Sequence, residues 1–181
     1  MKILALQGSP HTDGNTAAML ELIEAHLGDE HTFERVDLAE HTVSGCHACY
    51  ECQQVPDTHG CAVEDDGQGI LDQVLAADAI IYATPLYMWG VASWLRTIME
   101  RHLSCVMGYM SGEWNSLLEG KKVALVVTAG GPEEQNADAV KIVFQRFAEY
   151  GKTRNTGTFV VPSCPTPDEL GEKGEDVAKR V

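Results

Sequence analysis

The stretch KILALQGSPHTDGNT, residues 2 to 16, decides how the rest of the chain is interpreted. It begins as an apolar run that fits a buried strand, and it breaks at Gly8 into a polar loop. Residues 15 to 27 then resume an apolar pattern at helical spacing, with Met19, Leu20, Ile23 and Leu27 on one face. A strand, a short glycine-containing loop and a helix in this order are typical of folds built on a parallel sheet.

Five strand-like runs recur along the chain, at residues 2 to 7, 32 to 38, 79 to 85, 122 to 129 and 156 to 162. Helical patterns separate them over residues 15 to 27, 68 to 77, 91 to 103 and 136 to 150, the last with Val140, Val143, Phe144 and Phe147 on one face. Several strands are near-continuous in Val, Ile, Leu and Ala, as burial on both faces requires. We therefore predict an α/β fold, a doubly wound five-stranded parallel sheet in the order 2-1-3-4-5.

The length of 181 residues, 44% of them hydrophobic, suffices for the core of one domain without disulfides. No linker divides the chain, so we predict a single domain over residues 1 to 181. A cysteine-rich loop, residues 45 to 66, is inserted after the second strand. The final segment, residues 168 to 181, is charged and fits a terminal helix or a fraying tail.

The charge balance excludes some partners. Asp and Glu number 27 against 13 Lys and Arg, which gives a formal net charge of −14. Nucleic acids and anionic lipids both reward basic patches, so we expect neither as a partner, although an acidic surface also simply favours solubility. The sequence has no apolar run of bilayer length and its start lacks the features of a signal peptide, so we predict a cytoplasmic protein.

The loop after the first strand, GSPHTDGNT at residues 8 to 16, has the features of a phosphate-binding loop. It offers the hydroxyl groups of Ser9, Thr12 and Thr16 and the amide of Asn15 at the start of a helix, whose unpaired N–H groups bind phosphate without a basic residue. The ATP-binding loop is excluded because Asn15 stands where that motif has lysine, and the dinucleotide fingerprint is missing. An N-cap turn built from Ser, Asp and Asn is the alternative.

Two further loops complete the predicted site, because ligands of open parallel sheets bind where the strand order reverses, at the carboxyl ends of the strands. After the third strand comes TPLYMWG, which supplies Pro85, Leu86, Tyr87, Met88, Trp89 and Gly90. After the fourth strand, Gly130 and Gly131 allow close backbone approach to a ligand. A phosphate at one loop and a flat ring between the other two describe a site for flavin mononucleotide (FMN). For Tyr87 and Trp89, packing in the core or at a subunit interface is the alternative.

The first loop, the stretch from Glu64 to Arg101 and the segment GKKVALVVTAGG together resemble the flavodoxin-like NADPH-dependent FMN reductases, in particular their iron-sulfur flavoprotein branch. The resemblance covers nearly all of residues 1 to 162. It implies a flavodoxin-like fold, bound FMN, a redox function with NAD(P)H as electron donor, and assembly into homodimers or homotetramers. His11 joins the candidate FMN-binding residues, since it stands where relatives often carry arginine beside the phosphate.

A second motif lies in GCHACYECQQVPDTHGC, residues 45 to 61. Cys46, Cys49 and Cys52 follow a C-x2-C-x2-C pattern, and Cys61 arrives after eight further residues. Three thiols at two-residue gaps suit a 4Fe-4S cluster, whereas zinc sites more often use two separated C-x2-C pairs. Iron-sulfur is therefore favoured over zinc, and uncoordinated or oxidisable thiols remain an alternative.

The resembled branch binds a 4Fe-4S cluster through such a motif, although its gap before the last cysteine is usually shorter. His47 and His59 lie near these cysteines and are interpreted as bystanders, while Cys105 and Cys164 are interpreted as ordinary thiols. The cysteine loop follows the strand beside the phosphate end of the flavin, so a cluster on the same subunit is expected to lie far from the flavin ring. Electrons would then cross between subunits.

The resulting hypothesis is an FMN-dependent oxidoreductase that takes electrons from NAD(P)H or a reduced carrier and passes them to a small-molecule or protein acceptor. No protein acid or base is required, so no catalytic residue is named. The alternatives are a flavin or quinone reductase without a cluster, a non-catalytic electron carrier, and a metal-binding or redox-sensing module. Residues 84 to 95 and 104 to 114 are rich in aromatic residues and Met, which predicts a homo-oligomer.

Overall fold

The computed structural model of the chain describes residues 1–55, 57–108 and 111–181. Its strands are β1 (Lys2–Gln7), β2 (Thr32–Asp37), β3 (Ala79–Tyr87), β4 (Gly90–Val91), β5 (Val106–Met107), β6 (Asn115–Ser116), β7 (Lys122–Thr128) and β8 (Arg154–Val161). Its α-helices are α1 (Asn15–Leu27), α2 (Asp66–Ala76), α3 (Ser93–Arg101), α4 (Asp138–Tyr150) and α5 (Gly171–Ala178).

The main sheet has the order β2-β1-β3-β7-β8, and these five strands are parallel. This confirms the predicted doubly wound, flavodoxin-like order, with β7 and β8 as the predicted fourth and fifth strands. β4 turns back on the end of β3 in an antiparallel hairpin, and β5 and β6 form a separate two-stranded sheet. No helix in the described ranges is both long and apolar enough to cross a membrane.

Both faces of the sheet are buried because side chains alternate along each strand. Ile3 and Ala5 of β1 pack towards α1 and α5, whereas Leu4 and Leu6 pack into the cluster that contains α2, α3 and α4. This two-sided burial explains why several strands are continuous apolar runs in the sequence.

The structure differs from the sequence-based expectation at the start of α2 and in the buried face of α4. α2 begins at Asp66, because the Asp65 side chain accepts a hydrogen bond of 2.9 Å from Gly67 N–H and caps the helix. The predicted cysteine-rich loop therefore ends one residue earlier. In α4 the buried stripe follows Val140, Phe144 and Ala148, while Val143, predicted on the same face, is 43% exposed.

A buried polar pair fixes the end of α3 to the centre of the sheet. His102 accepts a hydrogen bond of 3.0 Å at Nε2 from the Tyr82 hydroxyl, while its Nδ1–H donates to Ile98 O at 2.8 Å. Burial lowers the pKa of His102 to about 4, so the ring is neutral at pH 7 and can make both bonds. The pair therefore positions Arg101, the last residue of α3, on the face of the sheet opposite α1.

Candidate functional site

A cavity of about 400 Å³ lies at the carboxyl edge of the sheet, where the loops after β1, β3 and β7 separate. Its size is that of a small-molecule site. It brings together eight of the residues predicted to bind FMN: Ser9, His11, Asn15, Thr16, Pro85, Leu86, Tyr87 and Gly130. The other five lie in the same loops without lining the cavity: Thr12, Met88, Trp89, Gly90 and Gly131.

The first loop is held tightly against β3 and α3. Gly8 N–H donates to Ala83 O at 2.7 Å, and a Cβ at Gly8 would overlap the Cβ of Leu95 in α3. Only glycine fits this position without moving the helix. Beyond it the loop turns on Ser9, whose hydroxyl oxygen accepts a hydrogen bond of 3.1 Å from His11 N–H.

The amino terminus of α1 faces the cavity without a side-chain cap, since its N-cap residue is Gly14. The first intrahelical bond runs from Ala18 N–H to Gly14 O at 3.0 Å. The N–H groups of residues 15 to 17 therefore precede the hydrogen-bond ladder of the helix. Such groups, with the partial positive charge of the helix end, suit a phosphate, and they do not match the alternative of an N-cap turn.

The side-chain amide of Asn15 has one paired and one unpaired polar atom among the described residues. Its Nδ2 donates to Cys164 O at 2.5 Å, which fixes the amide orientation, and its Oδ1 is buried without a hydrogen-bond partner among the described residues. A buried acceptor left in this state is costly. The uncapped start of α1 at this cavity suits the phosphate of FMN, so the residues present fit this cofactor.

Five residues of the cavity wall lie outside the predicted set: Gly14 of the first loop, and Thr128, Cys164, Pro165 and Pro167. Thr128 ends β7 and its hydroxyl lies 2.9 Å from that of Thr16, while Cys164 follows the end of β8. The signal was available in the topology, because all parallel strands end at the same edge of the sheet. The last strand therefore also delivers its following loop to the cavity.

Arg35 is a further residue that the sequence did not single out. It lies on β2 and donates from Nη2 to Thr12 O at 2.5 Å, which ties the first loop to the neighbouring strand. Its Nε lies 2.7 Å from Asp37 Oδ1, and Nη1 lies 3.6 Å from Glu21 Oε1. The two carboxylates offset its charge, so Arg35 supports the loop conformation more than it adds positive charge to the cavity.

The loop after β3 is a tight hairpin whose tip stands in solvent. Leu86 pairs with Val91 and Tyr87 with Gly90, which leaves Met88 and Trp89 as the two turn residues. Both have positive φ, 48° and 62°, a conformation that bulky side chains rarely adopt. Met88 is 85% exposed and Trp89 55%. A strained turn with an exposed apolar tip beside a cavity indicates a binding surface.

The four clustered cysteines surround a second, small cavity of about 20 Å³ at the carboxyl end of α3. We call it the cysteine cavity, and the cavity at the sheet edge the first cavity. Cys46, Cys49, Cys52 and Cys61 all line it, together with Arg101 and His47. Burial raises the pKa of the Cys52 thiol, and the other three thiols raise it further, as expected for groups that face one another.

The loop around these thiols has a defined shape. Ala48 and Tyr50, which flank Cys49, both have left-handed backbone conformations, with φ of 52° and 60°. His59 is buried, and both of its ring nitrogens contact protein groups. Nδ1 accepts a hydrogen bond of 3.1 Å from Cys61 N–H, and Nε2 lies 3.3 Å from Asp72 Oδ1. His59 therefore supports the loop, and its ring nitrogens are not turned to the thiols.

The fit of these thiols to an inorganic group depends on the size of the group. Across the described ranges, no three His, Cys, Asp or Glu side chains converge closely enough to hold a metal ion. The ligands of a cubane bind separate corners of the cluster and so stand wider apart than the ligands of one ion. Four thiols around one cavity therefore fit such a cluster in donor chemistry, while the cavity itself must widen to admit one.

Comparisons with known proteins identify the family of the chain. Residues 1–163 match the family of NADPH-dependent FMN reductases, so the chain belongs to this family and is a flavin-dependent oxidoreductase. An iron-sulfur flavoprotein of Methanocaldococcus jannaschii is 30% identical over 100% of this chain and 95% of its own length. An FMN-dependent NADH:quinone oxidoreductase of Hydrogenovibrio crunogenus is 25% identical over 78% of this chain and 76% of its own. The family resemblance is thereby confirmed.

Among solved structures, an FMN-dependent NADH-azoreductase from Bacillus anthracis in complex with FMN superposes with a TM-score of 0.68 at 14% identity. The alignment covers 99% of this chain and 98% of that one. A putative quinone reductase from Klebsiella pneumoniae gives a TM-score of 0.74 at 18% identity, over 99% of this chain and 83% of that one. At these identities the likeness shows the fold.

Gly130 allows a direct test of the first cavity. A Cβ at this position meets no heavy atom within 4 Å, so Gly130→Ala should fold as the parent does. With FMN bound, the methyl group would compete with the ligand, and we expect FMN affinity to fall by about tenfold, since overpacking costs about 1–3 kcal/mol.

The measurement is an equilibrium titration of apoprotein with FMN. Gly69→Ala is the matched control, because a Cβ on this α2 residue also meets open space but lies away from the cavity. An affinity for FMN that is equal in Gly130→Ala and the parent would contradict this placement of the flavin.

Proposed function

We propose that this chain is an NAD(P)H-dependent FMN oxidoreductase whose flavin binds in the first cavity and exchanges electrons with a 4Fe-4S cluster held by the cysteine loop. The observation that carries the flavin part is the cavity at the sheet edge, bounded by an uncapped helix terminus, the side chains of Asn15 and Thr16, and the hairpin. The names of the FMN-dependent relatives support it.

In this proposal the N–H groups at the start of α1 and the hydroxyl of Ser9 would hold the FMN phosphate. Asn15 and Thr16 would contact the ribityl chain, and the hairpin and Gly130 would hold the ring. A bound flavin would supply the chemistry of hydride acceptance from a nicotinamide and of onward electron transfer. The protein positions the flavin and supplies no acid or base that we can name.

Two features favour small molecules as donor and acceptor. The first cavity is open to solvent on one side, where Tyr87 is 47% exposed, so a nicotinamide or a quinone can approach a flavin bound there. The related NADH:quinone oxidoreductase and the azoreductase act, by their names, on such molecules. A non-catalytic electron carrier remains the competing function.

Steady-state kinetics separates these functions. The FMN-loaded protein should oxidise NADPH or NADH with a soluble quinone as acceptor at about 1 s⁻¹ or faster, within the usual range for enzymes. Free FMN at the same concentration is the control. A rate no greater than that of free FMN with both nicotinamides would favour an electron carrier over a reductase.

The cluster part of the proposal rests on the four thiols that line one cavity and on a fully buried arginine beside them. The iron-sulfur flavoproteins among the relatives support it by name. Cys49 is exposed, so a cluster in this loop would be open to oxygen and easily lost. Zinc and free thiols are the competing states of the loop.

The path of the electrons depends on α3, which lies between the two sites. Its first turn contacts the loop of the flavin cavity through Leu95, and its last residue, Arg101, contacts Cys61. From Leu95 to Arg101 the helix rises about 9 Å, so the contacts that α3 makes with the two sites of one subunit are about this far apart along its axis. We propose that electrons pass between a cluster and the flavin of another subunit, because the cysteine loop follows β2, beside the phosphate end of the proposed flavin site and away from its ring.

This requires a homo-oligomer, and the hairpin tip is the proposed contact, because exposed Met and aromatic side chains favour interfaces. The second predicted contact segment, residues 104 to 114, includes Tyr109 and Met110, which lie outside the described residues.

Light scattering should give a dimer or tetramer mass for the parent, reduced by Trp89→Glu but not by Ile142→Glu, which changes an exposed apolar residue of α4. A parent mass of one chain at micromolar concentration would contradict the assembly.

The cluster itself is tested by chemical analysis. After anaerobic reconstitution, the parent should contain about four iron and four sulfide per chain, as a 4Fe-4S cluster requires. Cys49→Ser should lose most of this iron, while Cys105→Ala should keep it, because Cys105 is buried in the core and does not line the cysteine cavity.

Each protein in this series should still bind one FMN, since the flavin cavity is built from other residues. A reconstituted parent with near-zero iron would refute the cluster and leave the flavin function intact. Zinc in place of iron would assign the loop a structural role.

A further inference from the structure

The side chain of Arg101 is fully buried, with 0% exposure, although arginine is among the residue types least often found inside proteins. It lies at the end of α3, where it lines the cysteine cavity. A guanidinium is permanently charged, so a site this deep is stable only where its donors are matched by acceptors. The identity of these acceptors indicates what the residue does.

Arg101 joins the two ends of the cysteine loop. Its Nη1 donates to Ser44 O at 3.0 Å, before the first cysteine of the motif, and its Nη2 donates to Val63 O at 3.2 Å, after the last. Its Nε donates to the Sγ of Cys61 at 3.1 Å. One rigid, planar group therefore closes the loop and also contacts a candidate ligand. Lysine has no such fork of donors.

Asp65 balances the charge of Arg101. Nη1 lies 3.0 Å from both carboxylate oxygens, and the Asp65 side chain is 7% exposed. The same carboxylate accepts hydrogen bonds from Ser44 N–H at 2.7 Å and from Gly67 N–H at 2.9 Å. Asp65 thus links Arg101 to the start of α2 and keeps the guanidinium in one orientation.

We propose that Arg101 is a positioning residue that holds the two ends of the cysteine loop together and stabilises the reduced form of the cluster through its hydrogen bond to Cys61. This inference rests on the proposed cluster. A hydrogen bond donated to a ligand sulfur favours the state with one more electron, so it raises the reduction potential. The negative charge of Asp65 acts in the opposite direction.

The test compares Arg101→Lys, Asp65→Asn and the double variant Arg101→Gln/Asp65→Asn, which leaves no unpaired charge if the single variants fail to fold. Arg96→Gln is the control, since Arg96 lies on the same helix with its side chain 56% exposed. Each protein is reconstituted anaerobically. Iron and FMN content, the rate of iron loss in air, and the midpoint potential of the cluster by electron paramagnetic resonance titration are then measured.

In Arg101→Lys and in the double variant we expect iron loss about tenfold faster than in the parent, as is usual when a partner of a metal ligand is removed. The midpoint potential should shift to a more negative value in Arg101→Lys and to a more positive value in Asp65→Asn. FMN content should stay at the parent level in all variants. The opposite signs distinguish an electrostatic role from general loosening of the loop.

A parent-like midpoint potential and rate of iron loss in both Arg101→Lys and the double variant would overturn the inference and leave the cluster in place. A parent that takes up no iron would overturn the proposed cluster and the role of Arg101 toward it together. In the iron-free protein, faster alkylation of Cys61 in Arg101→Lys than in Arg96→Gln should still show that Arg101 closes the loop, and equal rates would refute that part.

Discussion

The placement of β1 between β2 and β3 is the constraint on which the rest of the structure depends. β1 pairs in parallel with both neighbours, with Ile3 opposite Phe33 on one side and Ala79 on the other. The chain therefore leaves β1 to build first one half of the sheet and then the other, so the loops after β1 and β3 separate at the carboxyl edge. The first cavity, at this edge, is the space that the separation leaves, and α1 presents its amino terminus to it for the same reason.

The two sites are built by different physical means and joined by one helix. The first cavity relies on backbone groups, close packing at Gly8 and a few neutral polar side chains. Such a site suits a ligand whose phosphate can bind a helix terminus. The cysteine cavity relies on a buried ion pair, because a loop without regular hydrogen bonding needs strong contacts to keep its shape. α3 contacts both, and the Tyr82–His102 pair fixes its end to the sheet.

Much of this could be predicted from the sequence, because the signals were local. Several strands of the main sheet were near-continuous apolar runs, and the first loop followed a strand and preceded a helix. The left-handed turn at Met88 and Trp89 was not predictable, since such turns are usually marked by Asn-Gly or Asp-Gly. The contacts between Arg101 and Cys61, 40 residues apart, and between Asn15 and Cys164, 149 apart, depend on tertiary packing that no local pattern encodes. In α4, the sequence pattern could not distinguish the exposed Val143 from the buried Phe144.

The central claim is that the carboxyl edge of this sheet binds FMN while the cysteine loop of the same chain holds iron. A crystal structure of anaerobically prepared, FMN-loaded protein, recorded at the iron absorption edge, tests both parts in one measurement. We expect flavin density in the cavity with its phosphate at the start of α1, and one anomalous peak among Cys46, Cys49, Cys52 and Cys61. Flavin density elsewhere, such as the groove beside Lys122 and Arg154 at the opposite edge of the sheet, with no iron peak at the cysteines, would contradict the account.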